Sequence, residues 1–221
     1  MVIIMNIIEV GKIYKTLHGE FKVLEFINKD KHYQNYYVLH NNERKILKYI
    51  PNKNSQEPCF YVSRIKTLLT MKLDSSYFIK PCDLIEFDEL SYGYILDIVD
   101  DSYCKLCDFQ FLETKFSSLE VLLDACLNIT KAFRYIHKRF NMYFQIFDEN
   151  NFYINPENGD IKIVVEDYTF KMGTNNDLMG RERFSAPEIV TYEDQERNGN
   201  TDSYLLSLLI FLLIVNHHPF E

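Results

Sequence analysis

Along the first hundred positions, short apolar runs alternate with polar turns, and then the period changes. Phe21-Lys22-Val23-Leu24-Glu25-Phe26, Tyr36-Tyr37-Val38-Leu39 and Lys45-Ile46-Leu47-Lys48-Tyr49-Ile50 are rich in β-branched and aromatic residues. These segments predict strands. Gly11 and His18-Gly19 mark earlier turns, and the apolar stretch from Met1 to Val10 reads as the start of a strand. Residues 51–58 (Pro-Asn-Lys-Asn-Ser-Gln-Glu-Pro) are a loop by composition. A helix is expected from about Cys59 to Met71. Two further strands, near Cys82 to Phe87 and Tyr92 to Val99, complete the sheet.

From about residue 110 the apolar period becomes helical. Ser117-Ser118-Leu119-Glu120 has the form of a capping box, in which a serine hydroxyl and a glutamate carboxylate satisfy free backbone N–H groups. Behind it Leu119, Leu122, Cys126, Ile129, Phe133 and Ile136 recur at spacings of three and four, the stripe of a helix running to about Lys138. Two strand-like pieces follow, Phe152 to Ile154 and Ile161 to Val165. The turn Asn155-Pro156-Glu157-Asn158-Gly159-Asp160 joins them. The longest apolar run, Tyr204 to Val215, has twelve residues, against the roughly 20 that a membrane span needs. It reads as a helix buried in a core.

Composition narrows the function classes. With 221 residues, 47% hydrophobic, the chain has material for one large domain or two small lobes. The net charge is −8, from 24 basic and 32 acidic residues, and no Lys/Arg block supplies the basic face of a nucleic-acid binder. Five cysteines argue for a reducing compartment rather than a disulfide framework, so a cytoplasmic location without membrane insertion is expected. Cys104 and Cys107 form one Cys-x-x-Cys pair, which alone cannot complete a zinc site, and they read as packing thiols.

Four stretches, in order, give the chain a family likeness. They are Ile46-Leu47-Lys48; Phe144-Gln145-Ile146-Phe147-Asp148-Glu149-Asn150-Asn151; Arg183-Phe184-Ser185-Ala186-Pro187-Glu188; and Asp202 through His218-Pro219-Phe220. They resemble the strand lysine, the catalytic loop, the end of the activation segment and the buried central helix of a protein kinase domain. The helix from Asp124 to Ile129 and the stretch Asn151 to Pro156 are similar to bacterial serine/threonine-kinase-like proteins often associated with protein phosphatases. The resemblance covers nearly the whole chain. It implies an α+β, two-lobed protein-kinase-like fold, with a small antiparallel β lobe at residues 1–98 and a larger helical lobe at 99–221. The late helices of the large lobe would be absent.

Phosphoryl transfer depends on holding phosphates, neutralising charge with metal and orienting a hydroxyl near a base, and the resemblance lets each part be checked. The glycine-rich phosphate cover is lost. Its place is Ile27 to Gln34, no glycine occurs between Gly19 and Gly93, and Lys29 and Lys31 read as solvated hairpin residues. Lys48 is kept as the strand lysine, a phosphate ligand or equally a snorkelling strand residue. The helix after it holds no acidic partner, and Glu57 lies just before that helix. With Asn151 as the metal-binding asparagine, the base slot falls on Ile146, the following lysine becomes Asp148 and the preceding arginine becomes Gln145. The metal-aspartate slot falls on Val165, followed by Glu166-Asp167. Glu166 would face the opposite side of a continuing strand, and an exposed acidic turn is the ordinary reading.

Scaffold parts survive in Ala186, Pro187 and Glu188, and in Asp202, whose task in kinases is to hold the catalytic-loop backbone. The expectation is therefore a pseudokinase with no catalytic residues and no metal, serving a regulatory or interaction role. Any ATP would bind weakly and without magnesium, its base on the backbone of Asp97 and Val99 and its phosphates near Lys48. The alternatives are an active atypical serine/threonine kinase using Glu166, Asp167 or Asp148, and a decayed product without activity. A protein partner, a second copy or further chain is expected over Leu208, Phe211, Leu212 and Val215.

Overall fold

The computed structural model describes residues 8–29, 33–51, 58–88, 91–110, 113–170, 182–191 and 197–220. The reading of Met1 to Ile7 as strand, and Lys31 and Glu57, lie outside these residues. Two compact units are present, one of residues 1–73 and 79–98, the other of residues 74–78 and 99–221.

The first unit is a six-stranded antiparallel sheet. Its strands are β1 (Ile13–Lys15), β2 (Glu20–Lys29), β3 (Gln34–His40), β4 (Glu43–Ile50), β6 (Asp83–Glu86) and β7 (Tyr92–Leu96), in the order β1-β2-β3-β4-β7-β6. The hairpin between β3 and β4 turns on Asn41 and Asn42, both at positive φ (52° and 64°), a geometry that asparagine tolerates. Val23, Val38, Leu47, Tyr49, Ile85 and Ile95 point to one face and form its core. Helix α1 (Pro58–Thr70) packs against β6 and buries Val62, Ile65 and Leu68. The Lys80 ammonium donates to the Leu68 and Leu69 carbonyls at 3.0 and 2.8 Å, closing the end of this helix.

Asp83, fully buried, ties the β1–β2 turn to β6. It accepts from the Thr16 hydroxyl, from the His18 N–H at 3.1 Å and from the Leu84 N–H at 2.8 Å, and the His40 ring lies 3.4 Å away. Neither strand β1 nor this cluster was expected from the sequence. Strand β1 is a three-residue pairing with the adjacent β2, and the Thr16 and His18 bonds to Asp83 join residues more than 60 positions apart.

The second unit holds the short strands β5 (Phe78–Ile79, whose first residue belongs to it), β8 (Cys104–Lys105), β9 (Phe152–Ile154) and β10 (Ile161–Val164), in the order β5-β10-β9-β8. Its helices are α2 (Leu106–Gln110), α3 (Leu119–Phe140), α4 (Pro187–Thr191) and α5 (Gly199–Val215). Helix α3 starts one residue later than the expected box. Ser118 is the N-cap and accepts from the Val121 N–H, while the Ser117 N–H donates to the Pro156 carbonyl at 3.0 Å. Ser117 is thus spent on the β9–β10 turn, and Glu120 is not in capping register. Leu119, in the first turn, is 70% exposed, so the buried stripe begins at Ala125. Gly159 (φ +74°) seats the β9–β10 turn on α3, where a Cβ would lie 2.7 Å from the Val121 carbonyl oxygen. The Asn128 amide donates to the Gly159 carbonyl from the helix side at 3.0 Å.

Helix α5 begins with Asn198 as N-cap, whose side chain and that of Thr201 bond each other's backbone reciprocally. Leu205, Leu208, Leu209, Leu212 and Leu213 are buried, and α5 packs on α3 and α2. Phe211, Ile214 and Val215 are exposed, so the helix is not buried all round. Of the four residues expected to need an outside cover, Leu208 and Leu212 are covered by the unit itself. They lie four apart, on the face shared with Leu205 and Leu209, whereas Phe211 and Val215 are rotated away from it.

Candidate functional site

The loop after α3 carries the candidate catalytic positions, and the backbone there is held from below. Asn141 ends the helix in the left-handed region (φ 51°), and the chain turns back to Phe144. The Phe144 N–H lies 3.2 Å from each carboxylate oxygen of Asp202. The ring Nε2 of His137 meets the same carboxylate at 2.6 Å and must be the donor, since a carboxylate only accepts. Asp202 is 2% exposed. Burial pushes its carboxyl above the usual aspartate range, against the pull of His137, the Phe144 N–H and the Arg197 charge.

From above, Phe144 bridges Phe170 and the Gln145 N–H donates to the Thr169 carbonyl at 2.8 Å. The rings of Phe133, Phe144 and Phe170, and those of Phe147, Phe152 and Phe184, form two groups with centres 4.6–5.6 Å apart, joined through Phe144 and Phe147 at 6.5 Å. The loop is therefore set by aromatic packing and one buried aspartate.

Ile146, which the sequence resemblance set at the base slot, lines a small pocket with Phe147, Asp148, Asn151, Tyr168 and Thr169, with room for about one water molecule. Asp148 caps the single 3-10 turn at Glu149–Asn151, accepting from the N–H and the side-chain amide of Asn150, both at 3.0 Å. Asn151 donates its amide to the Tyr168 hydroxyl at 3.2 Å. Val165, which the sequence resemblance set at the metal-aspartate slot, is fully buried. Strand β10 ends at Val164, so strand alternation does not govern the next residues. Glu166 and Asp167 are 3% and 4% exposed, not the exposed acidic turn that the sequence suggested. The Glu166 N–H is met by the Thr169 hydroxyl at 2.8 Å, which closes a tight turn and draws both residues inward. Among the described residues, no group of three or more His, Cys, Asp or Glu side chains is arranged to hold a metal ion.

In the first unit, Lys48 is on β4, opposite Asn35 of β3 and Tyr94 of β7, and is 6% exposed. Its ammonium lies 3.5 Å from the centre of the Tyr33 ring. At the end of β7, the Asp97 carboxylate pairs with Lys45, whose ammonium also meets Glu43 at 3.0 Å. Burial alone would lower the pKa of Lys45, but its bonds to Asp97 and Glu43 outweigh this and hold it above the usual lysine value. Residues 97–99 lie outside regular secondary structure, with Asp97 and Ile98 exposed. The Lys45–Asp97 and Lys48–Tyr33 contacts were not read from the sequence. The first needs the β4–β7 register, which sets Ile46 opposite Leu96. The second was legible only as an aromatic residue closing a glycine-free hairpin.

In the second unit, Ala186 is buried, Pro187 opens α4 and the Ile189 N–H donates to the Ala186 carbonyl at 2.9 Å. Glu188, in the first turn of α4, lies near Tyr204 of α5 and its charge helps raise that phenol's pKa, after burial. The His218 ring meets the Arg183 carbonyl at 3.0 Å, fixing the end of α5 to the segment before α4. No helix among the described residues is long and apolar enough to cross a membrane.

No protein-family model matches the chain, and no curated protein does. Among solved structures, it is similar to the crystal structure of the BubR1 kinase domain, with a TM-score of 0.64 and 15% sequence identity. The match covers 95% of this chain and 66% of that one, so this chain spans just under two thirds of the length of its structural neighbour. At that identity the likeness establishes the fold alone, and the fold is kinase-like.

Proposed function

We propose that this kinase-like fold is a pseudokinase domain: a scaffold with a regulatory or interaction role, in which phosphoryl transfer has been lost. One observation carries the reading. Asp202 holds the catalytic-loop backbone through the Phe144 N–H, yet the base slot presented on that backbone is Ile146. An isoleucine cannot accept the substrate proton. The donors around it do not fit a magnesium ion either: Asn151 offers one neutral oxygen, Asp148 caps its own turn, and Val165 has no ligand atom. Positioning and electrostatics supply nearly all of the rate in this chemistry, so losing base and metal together removes several orders of magnitude. Nucleotide, where it binds, uses the backbone at Asp97 and Val99 and the Lys48 ammonium, weakly and without magnesium.

A second reading is favoured by the burial of Glu166 and Asp167. Carboxylates are rarely sunk without purpose, and Glu166 is placed one residue after the lost metal ligand. On that reading the chain is an atypical serine/threonine kinase with a substitute carboxylate. Incubating the purified protein with γ-labelled ATP and magnesium or manganese decides between them. The expected result is no label on the protein or on a generic substrate. Label that disappears in Glu166→Ala would establish the atypical kinase instead. Thermal-shift titration with ATP completes the test, since the pseudokinase reading expects a chelator to change affinity by less than about tenfold, or 1.4 kcal/mol.

A further inference from the structure

We infer that Tyr33 is a built-in competitor for the phosphate end of the nucleotide site, with its ring face covering the Lys48 ammonium that a phosphate would use. The inference rests on the proposed nucleotide reading and deepens it. Three observations on the first unit carry it. The Lys48 ammonium sits 3.5 Å from the Tyr33 ring centre, which is van der Waals contact over the ring face. A phosphate oxygen needs about 2.8 Å to the same nitrogen, so ring and phosphate cannot share that side of it. Lys48 is also 6% exposed, with the fully buried Tyr94 beside it across the β4–β7 ladder. Approach to the ammonium is therefore narrow, and the ring closes part of it.

The strand that carries the ring is anchored directly beside it. Tyr33 directly precedes β3, whose first residue Gln34 pairs with Lys29 and is buried. Gln34 accepts from the Tyr36 hydroxyl at 2.6 Å, and the next residue, Asn35, donates to Asn28 at 2.7 Å across the hairpin. In a glycine-rich cover, backbone N–H groups at this end of the hairpin would face phosphate. Here the sequence supplies no glycine, and an aromatic face meets the lysine instead.

Titration calorimetry of the full chain with ATP and with adenosine tests this, using Tyr33→Ala, Tyr33→Leu and Tyr33→Phe. Adenosine has no phosphates and reports the base end alone. The expected result is that the Ala and Leu variants bind ATP about tenfold or more tightly than the parent, with adenosine binding unchanged. The Phe variant, which keeps the ring face, should match the parent, and adding Lys48→Met to Tyr33→Leu should abolish the gain. The Leu variant retains apolar volume and guards against misfolding of Tyr33→Ala, with unliganded melting curves as the control. An unchanged ATP affinity alongside measurable adenosine binding would overturn the competitor role and leave the nucleotide site standing. A gain in the Phe variant equal to that of Ala would also overturn it. No binding of either ligand by any variant would overturn both this inference and the nucleotide part of the proposed function.

Discussion

Removing the Asp202 carboxylate tests whether one buried side chain holds the backbone of the loop at Phe144. In Asp202→Ala the Phe144 N–H loses its acceptor inside the unit, and the His137 ring loses its partner. A stranded buried N–H costs about 1–3 kcal/mol. A hydrogen bond to a charged group, here from the His137 ring to the carboxylate, is worth about 1.5–3 kcal/mol, and the upper end applies because Asp202 is 2% exposed. The two losses share one carboxylate and do not add fully, which gives a destabilisation of about 3–4 kcal/mol. For a chain of this length that lowers Tm by about 6–16 °C.

Asp202→Asn keeps an oxygen for the Phe144 N–H and gives up only the charge-assisted part, about 1 kcal/mol. The pH dependence has a definite sign. The folded-state pKa of Asp202 is raised, chiefly by burial, so its contribution to stability is fullest below the unfolded-state pKa and is lost as pH rises through the folded one. Asparagine has no such gain. The gap between parent and Asp202→Asn should therefore widen as pH falls through the aspartate range. Urea unfolding followed by circular dichroism at several pH values measures all three proteins. The reasoning is refuted if Asp202→Ala unfolds within about 0.5 kcal/mol of the parent, or if Asn is as damaging as Ala.

Two further substitutions, each with a control, probe how the second unit is assembled. Gly159→Ala should destabilise by about 2 kcal/mol or more in urea unfolding, because its φ is +74° and a Cβ would lie 2.7 Å from the Val121 oxygen and 2.8 Å from the Ala125 nitrogen. Gly19→Ala, with nothing nearer than 3.8 Å, is the control and should stay within about 0.5 kcal/mol. Leu212→Ala should lose about 2–5 kcal/mol while Val215→Ser, half exposed on the other side of α5, stays within about 0.5 kcal/mol. Equal effects in denaturant melts would show that α5 does not bury Leu212 against the rest of the unit.

Local periodicity and breakers determined much of the outline. Val23, Val38 and Leu47 sit in runs whose alternation marks strands, and Ile129, Phe133 and Ile136 repeat at the helical spacing whatever they pack against. Both patterns follow from backbone geometry, which fixes which side chains share a face. The order of Lys48, Asn151, Ala186-Pro187-Glu188 and Asp202 likewise pointed to a kinase-like fold, and the absence of a carboxylate at Ile146 is a fact of sequence. What the sequence could not determine was which of two equally local options tertiary contact selects. Ser117 could cap α3, but the β9–β10 turn takes it, and the cap passes to Ser118. The run from Tyr204 to Val215 is apolar on every side, so nothing in it says that Leu212 faces inward and Val215 outward; α3 and α2 decide that. Glu166 and Asp167 are ordinary surface residues by composition, and only the turn closed by Thr169 sinks them. The Lys48–Tyr33 and Lys45–Asp97 contacts arise from strand register and hairpin closure. The physical reason is common to all of these. A side chain's period depends on its own backbone, but its burial, charge partner and function depend on surfaces brought together from distant parts of the chain.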